Sequence, residues 1–369
     1  MTRTVDFDFD SDFGHKAPVP ISQKKLLSVD CCLLTFRIFV KNKILMSNLD
    51  EIKKTIEPEL KQFNIFLEES LKSPMPLLNK ILKYVLKQKG KQIRPLFVLL
   101  SAKCHGEINE NTYRAAAFIE LLHTATLIHD DVVDDSDKRR GMFSLNALWK
   151  NKIAVLVGDY LLSKGMMLAL ENKDYQMLDV ISSTVKAMSE GEIYQMEKAR
   201  RMDITEEDYY EIIKAKTASL ISSCCMLGAI SVNATESQVE KMRNFGISAG
   251  IAFQIKDDIF DYQINNKTGK PAGNDIQEHK MTLPLIHLLK IVDKSERRNI
   301  IRKIKYHSDE VEARMDVINK VHQNNCLDYA KKKMNDFVNE ALSQLDEIND
   351  SEALTSLKDL VEFCINREK

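Results

Sequence analysis

The sequence predicts an all-α protein, a single-domain bundle of about ten or more helices. Three observations support this fold class. No proline occurs between Pro95 and Pro271 or after Pro284, and proline interrupts helices because it lacks a backbone donor and clashes with the preceding turn. Hydrophobic residues make up 44% of the chain and charged residues 29%, which suits helices with one apolar and one polar face. No stretch alternates between polar and apolar residues for long enough to predict a strand.

Helical spacing of apolar residues is continuous from Leu49 onward. The first helix is expected at 49–72 and the second at 77–88. Pro95 then lies in the first turn of the third helix, where proline is tolerated. The further helices are expected at residues 112–135, 144–171, 175–201, 206–232, 236–262, 281–305 and 308–322, with one or two more in 324–366. In 144–171 we expect burial of Leu156, Leu161 and Met166–Leu170.

The first 45 residues differ in character from the rest. Aspartates alternate with phenylalanines near the start and prolines follow, so we expect 1–25 to be disordered. Charged residues interrupt the apolar stretch 26–46, which therefore lacks the roughly 18 apolar residues of a membrane span. An acidic start also differs from the basic start of a signal peptide. We predict that 1–45 is a disordered or non-native extension and that 46–369 is the folded domain, without a transmembrane segment.

Charge and cysteine content exclude some classes of function. The net charge is −1, so no bulk field favours a nucleic-acid partner. The seven cysteines show no zinc-site spacing, and a reduced, cytoplasmic protein is the simplest interpretation.

Two acidic motifs, Asp130–Asp134 and Asp257–Asp261, lie in sequence that is predicted to be helical. Each has aspartates at its first, second and fifth positions, and residues four apart on a helix project from the same face. One such motif alone could be a solvated surface. Two carboxylate clusters that face one another across a cleft would hold several Mg²⁺ ions, which are often shared between carboxylates and a substrate's phosphates. The pair of motifs therefore indicates chemistry on a diphosphate.

Basic residues accompany both motifs. Arg139 and Arg140 follow the first motif, and guanidinium groups bind phosphate oxygens through forked hydrogen bonds. Lys91 and Arg94 lie at a helix start, a location that favours anions, although a solvated helix end explains them as well. The remaining candidates near the motifs are Lys216, Thr217, Gln254, the glycine-rich turn 269–275 and Lys280.

From about Leu77 to Pro284 the chain resembles the trans-type polyprenyl diphosphate synthases, and more narrowly their long-chain, octaprenyl-diphosphate-synthase-like members. The resemblance rests on five motifs in order: the segment from Gly90 to Pro95, His129–Asp134 with Arg139–Gly141, Gly191–Gln195, Lys216–Thr217 and Gln254–Tyr262. It implies the all-α isoprenoid synthase type I fold, with helices around a central cavity. Three positions depart from the family pattern: Lys89, Gln92 and the variant element Gly191–Gln195.

The resemblance also implies roles for individual residues. The ligands of Mg²⁺ would be Asp130, Asp134 and Asp257, supported by Asp131, Asp258 and Asp261. Three Mg²⁺ ions would be bound when substrate is present. The allylic diphosphate would bind Arg139, Lys216 and Lys280. Isopentenyl diphosphate would bind Lys91, Arg94, His123 and Arg140. The catalytic residues at the reacting centre would be Lys216, Thr217 and Gln254. A homodimer is implied as well, with transient membrane contact during product release.

Product length is predicted from the helix that carries the first motif. Thr126 lies one turn before Asp130 and about 40° around the helix from it. In the family, an aromatic residue five positions before the motif is associated with short products, and here that position is Ala125. The growing tail is expected to run down along this helix, away from the motif. We therefore expect Ala125 and Thr126 to leave room for a product of about C30–C50, with about C35–C40 favoured.

Three alternatives remain. A short-chain farnesyl or geranylgeranyl diphosphate synthase shares all the motifs. A class I terpene cyclase shares the ionisation step but usually carries an Asn/Ser/Glu-type second metal motif, whereas both motifs here are rich in aspartate. A non-catalytic regulatory subunit is expected to lose motif aspartates, which this chain retains.

Overall fold

The computed structural model describes residues 49–88, 90–263 and 273–366, and helices account for most of this part of the chain. The all-α prediction is therefore confirmed. The predictions for 1–45, for Lys89 and for most of the turn at 269–275 lie outside the described residues.

The helices begin and end close to the predicted positions. In chain order they are α1 (Leu49–Lys54), α2 (Glu57–Ser70), α3 (Pro76–Lys87), α4 (Ile93–Lys103), α5 (Glu110–Val133), α6 (Leu145–Glu171), α7 (Tyr175–Arg201), α8 (Glu206–Ile213), α9 (Ser219–Ser231), α10 (Glu236–Asp261), α11 (Asn274–Gln277), α12 (Leu283–Ile291), α13 (Lys294–His307), α14 (Val311–Gln323), α15 (Cys326–Ser343) and α16 (Glu352–Asn366). A π-helical turn, Lys214–Ala218, joins α8 to α9, and two short strands, β1 (Lys138–Arg139) and β2 (Met142–Phe143), follow α5.

Helix α9 lies at the centre of the bundle, where it packs against α4, α5, α7 and α10. Nearly all of its side chains are buried. Two glycines allow the close approach of its neighbours. A Cβ at Gly228 would lie 2.4 Å from the carbonyl oxygen of Val98 on α4, and one at Gly246 on α10 would lie 2.4 Å from the Cα of Ser222. These two glycines therefore allow α9 to cross close to α4 and to α10.

Three of the predicted helices are divided in the structure. The stretch 49–72 forms α1 and α2, and 206–232 forms α8, the π-helical turn and α9, whereas 324–366, where one or two helices were expected, forms α15 and α16. The stretch 281–305 contains α12 and α13, because the side chain of Asp293 accepts hydrogen bonds from the backbone N–H groups of Ser295 and Glu296 and so begins a new helix.

The burial predicted for the helix at 144–171 is partly wrong. Leu161 is fully buried, but Leu156, Met166, Met167 and Leu170 of α6 are between 44% and 54% exposed. Periodicity identified an apolar helix but could not show that the protein covers only one of its faces. By length and composition alone, α6 and the segment Glu206–Ser231 could span a membrane. This is weak support for a span, since core helices of soluble proteins meet the same criterion and Glu206–Ser231 is 72% buried.

Candidate active site

The first acidic wall lies at the C-terminal end of α5. The side chains of Asp130 and Asp134 are exposed, and the backbone N–H of Asp134 donates to the carbonyl oxygen of Asp130 at 2.8 Å. Loss of hydration raises the pKa of Asp130, as do the neighbouring carboxylates Asp134 and Glu192, while Lys216 opposes the change. The wall is therefore crowded with negative charge, which a bound cation would relieve.

Asp131 has a different role from its neighbours. Its carboxylate is 4% exposed, and its Oδ1 accepts from the Nε of Arg139 at 2.7 Å and from a terminal guanidinium nitrogen at 2.6 Å. Asn146 of α6 donates to the carbonyl oxygen of Asp131 at 3.1 Å. Asp131 therefore fixes Arg139 beside the first motif, and its burial leaves it less accessible than Asp130 and Asp134.

A tight β-hairpin presents the two arginines. Arg139 pairs with Met142 across the two strands, and the loop between them is Arg140-Gly141. Both loop residues have positive φ, 52° for Arg140 and 76° for Gly141, as a type I′ turn requires. Strands of two residues give no alternation signal, so the sequence did not predict this hairpin.

Three of the residues predicted to bind isopentenyl diphosphate, Arg94, His123 and Arg140, lie where the hairpin meets α4 and α5. His123 is 8% exposed, and burial together with Arg94, Arg140 and Arg139 lowers its pKa to about 2, so the imidazole is neutral. Burial also lowers the pKa of Arg94, against the field of Glu120. In the described part of the chain, the Nε of Arg94 has no hydrogen-bond partner. Guanidinium groups this close to one another favour a bound anion.

The guanidinium of Arg140 packs closely against Gly90. A Cβ at Gly90 would lie 2.7–2.9 Å from three guanidinium atoms of Arg140, and the guanidinium also donates to the carbonyl oxygen of Gln88 at 2.6 Å. Lys91 is exposed, with its Nζ 5.2 Å from the ring centroid of Phe363 on α16. The side chain of Gln92 donates to Asn64 at 2.9 Å, and it lines the same cavity as Arg139 and Arg140.

The π-helical turn carries Lys216 and Thr217. Single π-helical turns of this kind occur frequently at functional sites. Lys216 pairs with Glu192 of α7, and its Nζ also lies 3.4 Å from the side-chain oxygen of Gln195. Gly191 lets the two helices meet, since a Cβ there would lie 2.8 Å from that of Ala215. The sequence predicted an unbroken helix at 206–232 and did not identify Glu192 as a partner of Lys216.

A chain of hydrogen bonds joins four side chains beside the cleft. The hydroxyl of Thr217 donates to the Oε1 of Gln254 at 2.7 Å, and the Nε2 of Gln254 donates to the Oδ1 of Asp258 at 2.9 Å. The hydroxyl of Tyr209, on α8, donates to the Oδ2 of Asp258 at 2.7 Å. Burial and then the field of Asp275 raise the pKa of Asp258 to about 8. The structure thus brings Thr217 and Gln254 together as predicted and adds Tyr209.

The second acidic wall lies at the C-terminal end of α10. Asp257 is partly exposed, whereas Asp258 and Asp261 are buried. Asp261 accepts from the backbone N–H groups of Asn274 and Asp275 at 3.0 Å each, and so fixes the chain that continues to Lys280. Of the three aspartates in this motif, Asp257 is therefore the one placed to face a ligand.

Lys280 links the two walls. It pairs with Glu278, and despite burial its pKa is raised by Glu278, Asp275 and Asp134. Asp134 belongs to the first wall and Asp275 adjoins the second, so a single ammonium group lies within the field of both. Lys280, Lys216, Thr217 and Gln254 line one cavity. The two acidic walls therefore belong to the same cleft.

The donor set fits divalent cations that are shared with a substrate. Within the described residues, no three His, Cys, Asp or Glu side chains converge closely enough to hold a metal by themselves. Magnesium commonly takes only one or two carboxylates from the protein and completes its octahedron with phosphate oxygens and water. The exposed Asp130 and Asp134 opposite the partly exposed Asp257 match that pattern.

The two residues predicted to set product length lie along α5. Ala125 is fully buried, and Thr126 is partly exposed with its hydroxyl donating to the carbonyl oxygen of His123 at 2.9 Å. Met166, Met167 and Leu170 lie on the exposed face of α6 and do not form a floor beneath these two residues.

Comparison with known proteins identifies close relatives. The family model of polyprenyl synthetases matches residues 75–322. Octaprenyl diphosphate synthase of Haemophilus influenzae is 32% identical over 329 residues, which cover 89% of this chain and 99% of the relative. Geranylgeranyl diphosphate synthase of Saccharolobus solfataricus is 31% identical over 331 residues, covering 87% and 99% respectively.

Solved structures agree with this. The decaprenyl diphosphate synthase of Rhodobacter capsulatus superimposes with a TM-score of 0.82 at 30% identity, covering 87% of this chain and all of that one. A polyprenyl synthase of Caulobacter crescentus in complex with calcium and isoprenyl diphosphate superimposes with a TM-score of 0.80 at 28% identity, covering 87% and 98%.

Proposed function

This chain belongs to the polyprenyl synthetase family, and we propose that it condenses an allylic prenyl diphosphate repeatedly with isopentenyl diphosphate to give a long-chain all-trans polyprenyl diphosphate. The observation that carries the proposal is the cleft in which two aspartate-rich walls share Lys280, beside a separate cluster of Arg94, Arg140 and neutral His123. Two diphosphates need two anion sites, and these two groups of basic residues support that assignment.

The residues of the cleft suit an ionisation reaction. Lys216 and Lys280, with Arg139 near the first wall, would bind the allylic diphosphate as the carbon–oxygen bond breaks. Mg²⁺ held by Asp130, Asp134 and Asp257 would supply charge neutralisation for the departing diphosphate. Support for a divalent cation comes from the exposed Asp130 and Asp134 and the partly exposed Asp257, and from the calcium in the structure of the Caulobacter relative.

Arg94, Arg140 and His123 would hold the second substrate in place. The double bond of isopentenyl diphosphate then attacks the allylic carbocation, a carbon–carbon bond forms and a proton is lost. The hydroxyl of Thr217 and the amide of Gln254 lie at this centre, and neither is a strong base. The released diphosphate is the strongest base in the vicinity, so we assign the proton to it.

The long product rests on two observations. Ala125 and Thr126 place no aromatic ring below the first wall, and the relatives include octaprenyl and decaprenyl diphosphate synthases. A short-chain product is the second candidate, because a geranylgeranyl diphosphate synthase is also among the relatives.

A direct assay separates the candidates. The purified full-length chain is incubated with Mg²⁺, farnesyl diphosphate and labelled isopentenyl diphosphate, and the products are dephosphorylated and analysed by mass. We expect prenols longer than C20, centred on about C35–C40 since an open cavity continues elongation. Products that stop at C20 indicate the short-chain synthase, cyclic hydrocarbons indicate a terpene cyclase, and an inert protein indicates a regulatory subunit.

We further propose a cytoplasmic homodimer that contacts a membrane only transiently when product leaves. The exposed apolar residues of α6 support the dimer, because a monomer rarely exposes a large contiguous apolar face. The membrane contact follows from the product, an amphiphile with a long hydrocarbon tail.

A further inference from the structure

We infer that Tyr209 is a positioning residue, whose hydroxyl fixes Gln254 through Asp258 and thereby aligns the reacting centre. This inference rests on the proposed function, since it concerns the same condensation reaction. Tyr209 touches neither predicted metal ligand of the first wall, and it belongs to none of the five motifs by which the family resemblance was established.

Hydrogen bonds hold both ends of the Gln254 side-chain amide. The Oε1 of Gln254 accepts from Thr217 at 2.7 Å and its Nε2 donates to Asp258 at 2.9 Å. The second oxygen of Asp258 accepts from Tyr209 at 2.7 Å. Asp258 is 4% exposed and Tyr209 3%, so both groups are shielded from bulk solvent. A buried carboxyl oxygen that loses its donor carries the desolvation cost of an unmade hydrogen bond.

The same bond joins two structural elements. Tyr209 lies on α8, which leads directly into the π-helical turn that carries Lys216 and Thr217, whereas Asp258 and Gln254 lie on α10. Tyr209 therefore ties the start of the turn to the helix opposite, so that the distance from Thr217 to Gln254 is set from both sides.

The ring of Tyr209 has a separate, structural contact. It packs edge-on against Tyr210, with ring centroids 5.4 Å apart. Tyr209→Phe keeps that contact and removes only the hydroxyl. Tyr210→Phe is a matched control, because its hydroxyl donates to Glu206 at 3.2 Å on the same helix and takes no part in the chain to Thr217.

The test measures steady-state condensation, with farnesyl diphosphate and labelled isopentenyl diphosphate, for both variants and the wild type. We expect Tyr209→Phe to lower kcat about tenfold, a loss of about 1.4 kcal/mol of transition-state stabilisation, with KM for isopentenyl diphosphate changed less than about twofold. Tyr210→Phe should keep kcat within about twofold of wild type. An unchanged kcat in Tyr209→Phe would overturn the inference.

A double-mutant cycle excludes a merely structural role. Thr217 and Tyr209 make no hydrogen bond to one another and are joined through Gln254 and Asp258. We expect the effects of Thr217→Val and Tyr209→Phe on kcat to be non-additive, the double variant being no slower than about twice the slower single variant. Strictly multiplicative effects on kcat would overturn the inference. So would Tyr209→Phe and Tyr210→Phe variants that lose the same thermal stability and the same kcat. A wild-type protein that makes no prenol refutes the proposed function instead.

Discussion

At the scale of single residues, burial decides what each charged group can do. Asp130 and Asp134 remain exposed to a ligand, while Asp131 is committed to Arg139 and Asp261 to backbone N–H groups. His123 is the clearest example of control by surroundings, because three arginines and burial keep it uncharged at neutral pH.

The neutral His123 predicts an acid-dependent loss of stability. Its pKa is lowered from 6.5 to about 2 in the folded state, so between these values the unfolded chain binds more protons. The free energy of unfolding of the wild type should therefore fall as pH decreases below 6.5, by up to about 1.4 kcal/mol per pH unit from this residue. His123→Gln lacks this contribution.

Thermal melting of both proteins between pH 5 and pH 7.5 provides the measurement. The melting temperature of His123→Gln relative to wild type should rise steadily as pH falls, because the other titrating groups are shared. A difference that does not vary with pH contradicts the assignment of a neutral, buried imidazole.

Ala125→Phe tests the assignment of product length. A phenyl group on the buried face of α5 should block the path of the growing tail, and the products should become shorter by one or more isoprene units. Mass analysis of the prenols gives the answer, with Ala125→Ser as the control of similar size. An unaltered product distribution in an active, folded Ala125→Phe removes Ala125 from the cavity.

At the scale of elements, the sequence predicted the helices and failed where local structure departs from regular geometry. The bounds of α7 agree with the prediction at both ends, since its periodicity is unbroken. The type I′ hairpin and the π-helical turn were missed because each involves only a few residues, and their stability comes from Asp131, Gln88 and Gly191.

The aspartates, Lys216, Thr217 and Gln254 were found as motifs. Tyr209 was not, because a contact between α8 and α10 leaves no local pattern.

The hairpin predicts a specific sensitivity at Gly141. Its φ is 76°, and a side chain in this region costs roughly 1–2 kcal/mol. Gly141→Ala should therefore loosen the loop that presents Arg140, and raise KM for isopentenyl diphosphate several-fold in steady-state assays. Gly106→Ala, at a glycine outside the left-handed region, serves as control and should retain the wild-type KM. Equal KM values for all three proteins contradict the role of the turn.

At the scale of the whole molecule, α6 has one face in the core and one face that the described residues of the chain leave exposed. Leu161 packs inside while Leu156, Met166, Met167 and Leu170 are exposed, and Gly165 allows α6 to lie directly against Phe118 of α5. Because α5 carries the first acidic wall, a second copy on α6 would stabilise the helix that positions the metal ligands.

Charge on the exposed face of α6 should separate the subunits. We expect wild type to have twice the 42.3 kDa mass of the chain by light scattering, and the pair Leu156→Glu and Met167→Glu to give the mass of one chain, because buried carboxylates oppose association. Val311→Glu, at a position on α14 that is 62% exposed, should leave the mass unchanged. A wild-type protein with the mass of one chain would contradict the dimer.

The central claim is that the facing aspartates hold a diphosphate through divalent cations, and calorimetric binding of a thio-substituted farnesyl diphosphate tests it most directly. With Mg²⁺, the wild type and the distant control Asp350→Asn should bind the analogue tightly, while Asp130→Ala and Asp257→Ala should each bind at least about tenfold more weakly. Removal of Mg²⁺ with EDTA should abolish the difference between these proteins. Equally tight binding by all four proteins, with or without Mg²⁺, would contradict the account.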